Sequence, residues 1–129
     1  MARQFPNLIE ERLTHSIIGS FFDVYNYFGF GLLESVYSNA LAADLRAKGH
    51  KVDREVSVTV YYKGEAVGRH RIDMLVDDKV VVENKATERL PPSAKPQLLT
   101  HLKATRLEIG LLLHFGLTPK FYRLISTNR

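Results

Sequence analysis

With 129 residues, 45% of them hydrophobic and 25% charged, the chain has the size and composition of one ordinary soluble globular domain spanning 1–129. It has no cysteine, which excludes disulfides and thiolate metal sites, and no apolar run approaches the ~20 residues needed to span a bilayer. The N-terminal stretch MARQFPNLIEERL lacks the apolar core of a signal peptide, so the cytoplasm is the expected location, and a net charge of +4 is compatible with a polyanionic partner without requiring one.

Leu8 to Phe28 predicts a helix. Ile9, Leu13, Ile17, Phe21, Val24 and Phe28 recur at three- and four-residue intervals, and Ile18, Phe22 and Tyr25 widen the stripe. Asn7 is the expected N-cap, with Glu10 at capping-box spacing. Gly29-Phe30-Gly31 ends this helix, the first glycine suiting a left-handed position. A second helix follows from about Leu33 to Lys48, with Leu33, Val36, Tyr37, Ala40, Leu41 and Leu45 as its inner stripe. Glu34 stands in its first turn. It is either a carboxylate favoured by the helix macrodipole, the reading that spacing alone prefers, or an acid aimed at a site formed further along the chain.

Val56, Val58, Val60 and Tyr62 alternate with polar or outward residues and predict a half-buried strand. Lys63-Gly64-Glu65 is a hairpin turn. The next strand starts near Val67, passes Arg69-His70-Arg71 and contains Asp73 among Ile72, Met74, Leu75 and Val76. Arg69 and Arg71 share the parity of Asp73, so they are candidate phosphate contacts or else a solvated basic edge. His70 falls on the other face and is given no role.

The stretch RIDMLVDDKVVVENKA then reads as two strands around Asp77-Asp78-Lys79. Three valines suit a strand buried on both faces, yet it ends on Glu83-Asn84-Lys85, and acids and lysines are rarely buried unless paired or bound. Glu83 and Lys85 share a face, while Asn84 points away and offers the site its backbone carbonyl. Two carboxylates can hold a hard divalent cation, and a neighbouring lysine can hold an anion or orient a water beside it. The alternative is an ordinary Glu–Lys pair emerging into solvent. Register distinguishes them. A two-residue turn puts Asp73 on the wrong face, whereas a three-residue connection sets Val76 against Val80 and Asp73 against Glu83.

After a turn segment from Thr87 to Lys95, Pro96 fits the first turn of a helix running to about Thr105. Gln97 and His101 lie on one face with Lys103 displaced from it, either as an exposed pair or as a polar couple facing the acidic strand. Ile109 to Phe115 predicts another strand buried on both faces. Gly116 to Lys120 turns the chain, and Phe121 to Ile125 forms a last strand.

The order ααβββαββ, with Asp in one strand and Glu-x-Lys in the next, resembles the core of the PD-(D/E)xK nuclease superfamily. Within it the chain is similar to the GxxExxY proteins, whose name motif matches Gly31-Leu-Leu-Glu34-Ser-Val-Tyr37. The resemblance implies an α/β (α+β) fold with a restriction-endonuclease-like core, a mixed sheet of about five strands flanked by helices. It implies Glu34, Asp73, Glu83 and the Asn84 carbonyl as metal ligands for Mg²⁺, with Mn²⁺ as a substitute. Lys85 would orient the attacking water or stabilise the phosphate charge. Gln97 resembles the glutamine of a Q-x-x-x-Y motif, with His101 in place of tyrosine and His114 where asparagine is expected. His101 and Lys103 join Arg69 and Arg71 as candidate substrate contacts. The expected activity is metal-dependent hydrolysis of nucleic acid, DNA in preference to RNA, and a homodimer is compatible with the chain's size. The alternative is a non-catalytic nucleic-acid-binding or protein-interaction module that retains the nuclease fold.

Overall fold

The structure is a computed structural model that describes residues 10–127. Its elements are α1 (Glu11–Phe28), α2 (Glu34–Ala47), β1 (Val52–Tyr62), β2 (Glu65–Val76), β3 (Val80–Lys85), α3 (Ala94–Thr105), β4 (Ile109–Phe115) and β5 (Pro119–Ile125). The five strands form one sheet in sequence order, antiparallel except where β3 and β4 run parallel on either side of α3. This is the expected α+β architecture.

The two sheet faces are covered unequally. On one, α1 and α2 bury Ile17, Phe21, Tyr37, Leu41 and Leu45 against Met74, Val76, Val80, Val82, Leu111 and Phe115. On the other, α3 alone packs Leu98 and Leu102 on Ile72, Val81 and Leu112. Alternate residues of β3 and β4 thus serve opposite cores, which is why both strands read as unbroken apolar runs. The expected α1 N-cap, Asn7, lies outside the described residues, as does Ile9. At the other end of the α1 stripe, Phe28 is exposed rather than buried.

In α2 the expected stripe is displaced. Leu33 is 75% exposed and Val36 is exposed, while Ser38 and Ala42 join Tyr37, Leu41 and Leu45 inside. Leu33 precedes the helix as its extended N-cap, whereas Tyr37 is fully buried and stacked on Phe115 at 4.3 Å between ring centroids. Its hydroxyl donates to the Gly29 carbonyl and accepts the Leu32 N–H at 3.2 Å. The α1–α2 loop is therefore tied to the helix it introduces. Within that loop Gly31 has φ +120°, a conformation that side chains strain to adopt.

Between β2 and β3 the register is the one that joins the acids. Val76 pairs with Val80, Leu75 with Val81 and Met74 with Val82, so the connection has three residues, Asp77 to Lys79. Asp77 and Asp78 both have positive φ, and the Lys79 N–H closes the turn on the Val76 carbonyl at 3.0 Å. Asp77 also accepts from the Lys51 N–H at 2.8 Å and meets His50 Nδ1 at 2.8 Å, clamping the turn to the start of β1.

Candidate functional site

The β2–β3 ladder ends at Met74 and Val82, and Asp73 and Glu83 occupy the next position, where the strands part. There the Asp73 carboxylate replaces a strand: its Oδ2 accepts the Asn84 backbone N–H at 2.8 Å. The N–H and C=O of one strand residue leave on the same side, so the Asn84 carbonyl also faces this gap. The Asn84 side chain points away as expected. It is fully buried on the α2 side, its Nδ2 donating to Ser38 Oγ at 3.1 Å while its Oδ1 has no partner.

Beyond Met74, β2 departs from simple alternation. Its ladder with β1 passes from Arg54↔Met74 to Val56↔Ile72, skipping Glu55 and Asp73, and Glu55 has φ +51°. On one side of this kink Val52, Met74 and Val76 face α1 and α2; on the other Val56, Val58 and Ile72 pack toward α3. The hairpin turns over at Asp73. That corrects the parity reading of His70, which the kink carries to the α3 side. Its ring meets that of His101 edge-on, 5.1 Å between centroids. Arg69 and Arg71 are exposed, and Arg71 lies 3.8 Å from Glu55 across the hairpin.

Glu83 is 7% exposed and His101 8% exposed, and His101 Nδ1 lies 2.9 Å from Glu83 Oε2. Of the two readings left open for Gln97 and His101, the histidine follows the one that faces the acidic strand, because α3 lies over the Glu83 face of β3. Gln97, one turn earlier, is exposed, as is Lys103. Lys85 is half-buried at the end of β3. Glu34 is exposed at the first position of α2, one turn before Ser38, whose bond to Asn84 fixes that turn against β3.

Electrostatics joins these groups. Burial pushes the Glu83 carboxyl above the usual range; the hydrogen bond from His101 opposes this, Asp73 adds to it and Lys85 pulls back. Glu34 is raised too: although the residue is exposed, partial desolvation of its carboxyl comes first, then Asp73 against Lys85, with Glu83 adding to the rise. Crowded acids that disfavour their own ionisation are suited to a cation. Among the described residues, no three His, Cys, Asp or Glu side chains converge closely enough to enclose an ion by themselves. Asp73, Glu83 and the Asn84 carbonyl offer only oxygen donors, the kind an open hard-cation site with one or two carboxylates and retained waters would use. Glu34 belongs to the cluster by charge rather than by contact.

Sequence reasoning missed the supporting contacts. His70 was assigned to the wrong face, and Ser38 gave no signal. His114, where asparagine was expected, is buried and bonds the Thr87 carbonyl through Nε2 at 2.7 Å, tying the end of β4 to the chain leaving β3.

No curated protein matches the chain significantly. Its fold is similar to a solved structure titled "Crystal structure of SSO0001", with a TM-score of 0.56 and 20% identity, over 72% of this chain and 50% of that one. The chain therefore spans half the length of that protein. A family profile matches residues 11–124, a stretch that includes both acidic strands, the Glu34 helix and α3, and the chain belongs to the PD-(D/E)XK nuclease superfamily.

Proposed function

We propose that the chain is a metal-dependent phosphodiesterase that hydrolyses nucleic acid, with DNA as the first substrate. The observation that carries this reading is the strand divergence at Asp73, where one carboxylate accepts the Asn84 N–H and stands level with Glu83. Asp73, Glu83 and the Asn84 carbonyl would hold Mg²⁺, or Mn²⁺ in its place, with Glu34 adding negative charge from α2. When bound, the cation would supply Lewis-acid charge to the scissile phosphate. Lys85, on the same strand end as Glu83, orients the attacking water and offsets charge on the phosphate. Gln97 approaches from α3 toward the substrate. Exposed Arg69, Arg71 and Lys103 supply phosphate contacts, Arg71 leaving its exposed pairing with Glu55, which is worth little in water.

Calorimetric titration of Mn²⁺ or Mg²⁺ into the wild type and Asp73→Ala, followed by cleavage assays on the same samples, tests this. Binding and cleavage that are both lost in the variant support it. Absence of binding by the wild type, with an oligonucleotide present, would refute it and favour a fold retained for recognition alone.

A further inference from the structure

The structure assigns His101 to a positioning role: its imidazole, braced by His70, holds the Glu83 carboxylate in the orientation used to bind a divalent cation, and it does not contact substrate. This rests on the metal-site reading above and goes beyond it, because neither histidine belongs to the acidic constellation.

Three observations converge. Glu83 leaves a strand whose neighbours are buried, and a glutamate side chain there has torsions to fix before two oxygens can serve a metal. One of those oxygens, Oε2, is committed to His101 Nδ1 at 2.9 Å, with both side chains nearly inaccessible. The imidazole is itself fixed. Its helix is anchored by Leu98 and Leu102, both fully buried in the second core, and the His70 ring lies edge-on to it at 5.1 Å. The kink at Glu55 and Asp73 brings His70 there, so the feature that sets Asp73 in the gap also braces the partner of Glu83. A histidine 8% exposed with Nδ1 engaged on a carboxylate is poorly placed to meet a phosphate. It is well placed to orient a ligand, as hydrogen-bonded groups around metal ligands generally do.

Chemistry supplies the control. The Nδ1 of histidine and the Nδ2 of asparagine are both attached to Cγ, so His101→Asn keeps a donor near the same point, whereas His101→Leu keeps bulk and removes the donor. Mn²⁺ is titrated calorimetrically into the full chain as wild type, His101→Leu, His101→Asn and His70→Ala, with a thermal melt of each. His101→Leu is expected to lose about ten- to a hundred-fold in Mn²⁺ affinity, His101→Asn to recover most of that loss, and His70→Ala to fall between. Should His101→Leu fail to fold, weaker binding by His70→Ala with near-normal binding by His101→Asn supports the role equally. Wild-type affinity in both His101→Leu and His70→Ala, or a raised oligonucleotide KM with Mn²⁺ affinity unchanged, would overturn it. A wild type that binds no Mn²⁺ would instead overturn the metal-site reading, and this inference with it.

Discussion

Replacing Ser38 by alanine is expected to destabilise the protein out of proportion to the single oxygen removed. Ser38 Oγ accepts the Asn84 Nδ2–H at 3.1 Å, and Asn84 is fully buried with its Oδ1 already lacking a partner. Ser38→Ala therefore orphans a buried amide donor, which costs about 1–3 kcal/mol. Unfolding entropy near 60 °C is about 2.1 cal/mol/K per residue. For 129 residues that makes the expected fall in Tm about 4–11 °C. Asn84→Leu, close in shape, is expected to cost less, since it also removes the orphaned Oδ1 and leaves a hydroxyl free to bond a carbonyl one turn back in α2. The double variant, with both polar partners gone, is expected to melt near the wild type. Thermal or urea unfolding of the four proteins completes a double-mutant cycle. Single-variant costs that simply add, to within about 0.5 kcal/mol, would refute the claim that this bond holds α2, and with it Glu34, against the site.

Tyr37→Phe keeps the ring stacked on Phe115 but removes the hydroxyl between Gly29 and Leu32. Faster hydrogen exchange at the Leu32 amide is expected, with a stability loss of about 1 kcal/mol; unchanged exchange would show that the loop does not depend on that hydroxyl. Metal-free stability should depend on pH in two opposed ways. The raised carboxyls of Glu83 and Glu34 contribute stability that is complete below the ordinary glutamate range and is lost as pH rises through their raised values. At Asp77, burial pushes the carboxyl up, but the Lys51 N–H and His50 prevail and hold it below the usual range, so its contribution is present above the ordinary aspartate range and is lost as pH falls. These groups therefore add opposed slopes to a plot of metal-free Tm against pH, the two glutamates on its alkaline side and Asp77 on its acid side. Glu83→Gln should flatten the alkaline side relative to the wild type and Asp77→Asn the acid side; a Glu83→Gln profile parallel to that of the wild type would contradict the first part. Gly110→Ala places a Cβ 2.8 Å from Leu98 Cδ1 in a closed core and is expected to cost about 1–3 kcal/mol. An unchanged urea midpoint would show that Leu98 can yield.

Most of the architecture is legible in the chain because local signals agree with tertiary packing. Apolar runs in β3 and β4, glycines at the end of α1, and Pro96 in the first turn of α3 all say locally what the fold requires. The hairpin register was legible for a different reason. In a hairpin without a bulge, a three-residue connection rather than a two-residue turn puts Asp73 level with Glu83, so one chemical constraint narrowed a geometric choice. What stayed hidden is non-local. Tyr37 stacks on Phe115, a residue nearly eighty positions away, and no helical periodicity within α2 reports that contact or the burial of Ser38. The Ser38–Asn84 bond is equally invisible, since a serine in a helix reads as surface.

The error at His70 shows how alternation can fail for the surroundings of a candidate site. Period-2 alternation holds for a flat strand, but the ladder between β1 and β2 skips Glu55 and Asp73, and the faces exchange there. A break at that point suits the proposed chemistry. Asp73 can offer its carboxylate to the gap only if β2 leaves β3, and β2 can leave only where its pairing relaxes. The same departure moves the outer half of the hairpin over α3 and sets His70 against His101, which bonds Glu83. The irregularity that defeated the alternation rule is thus the element that joins the two carboxylates and their support into one arrangement, as the proposed site requires.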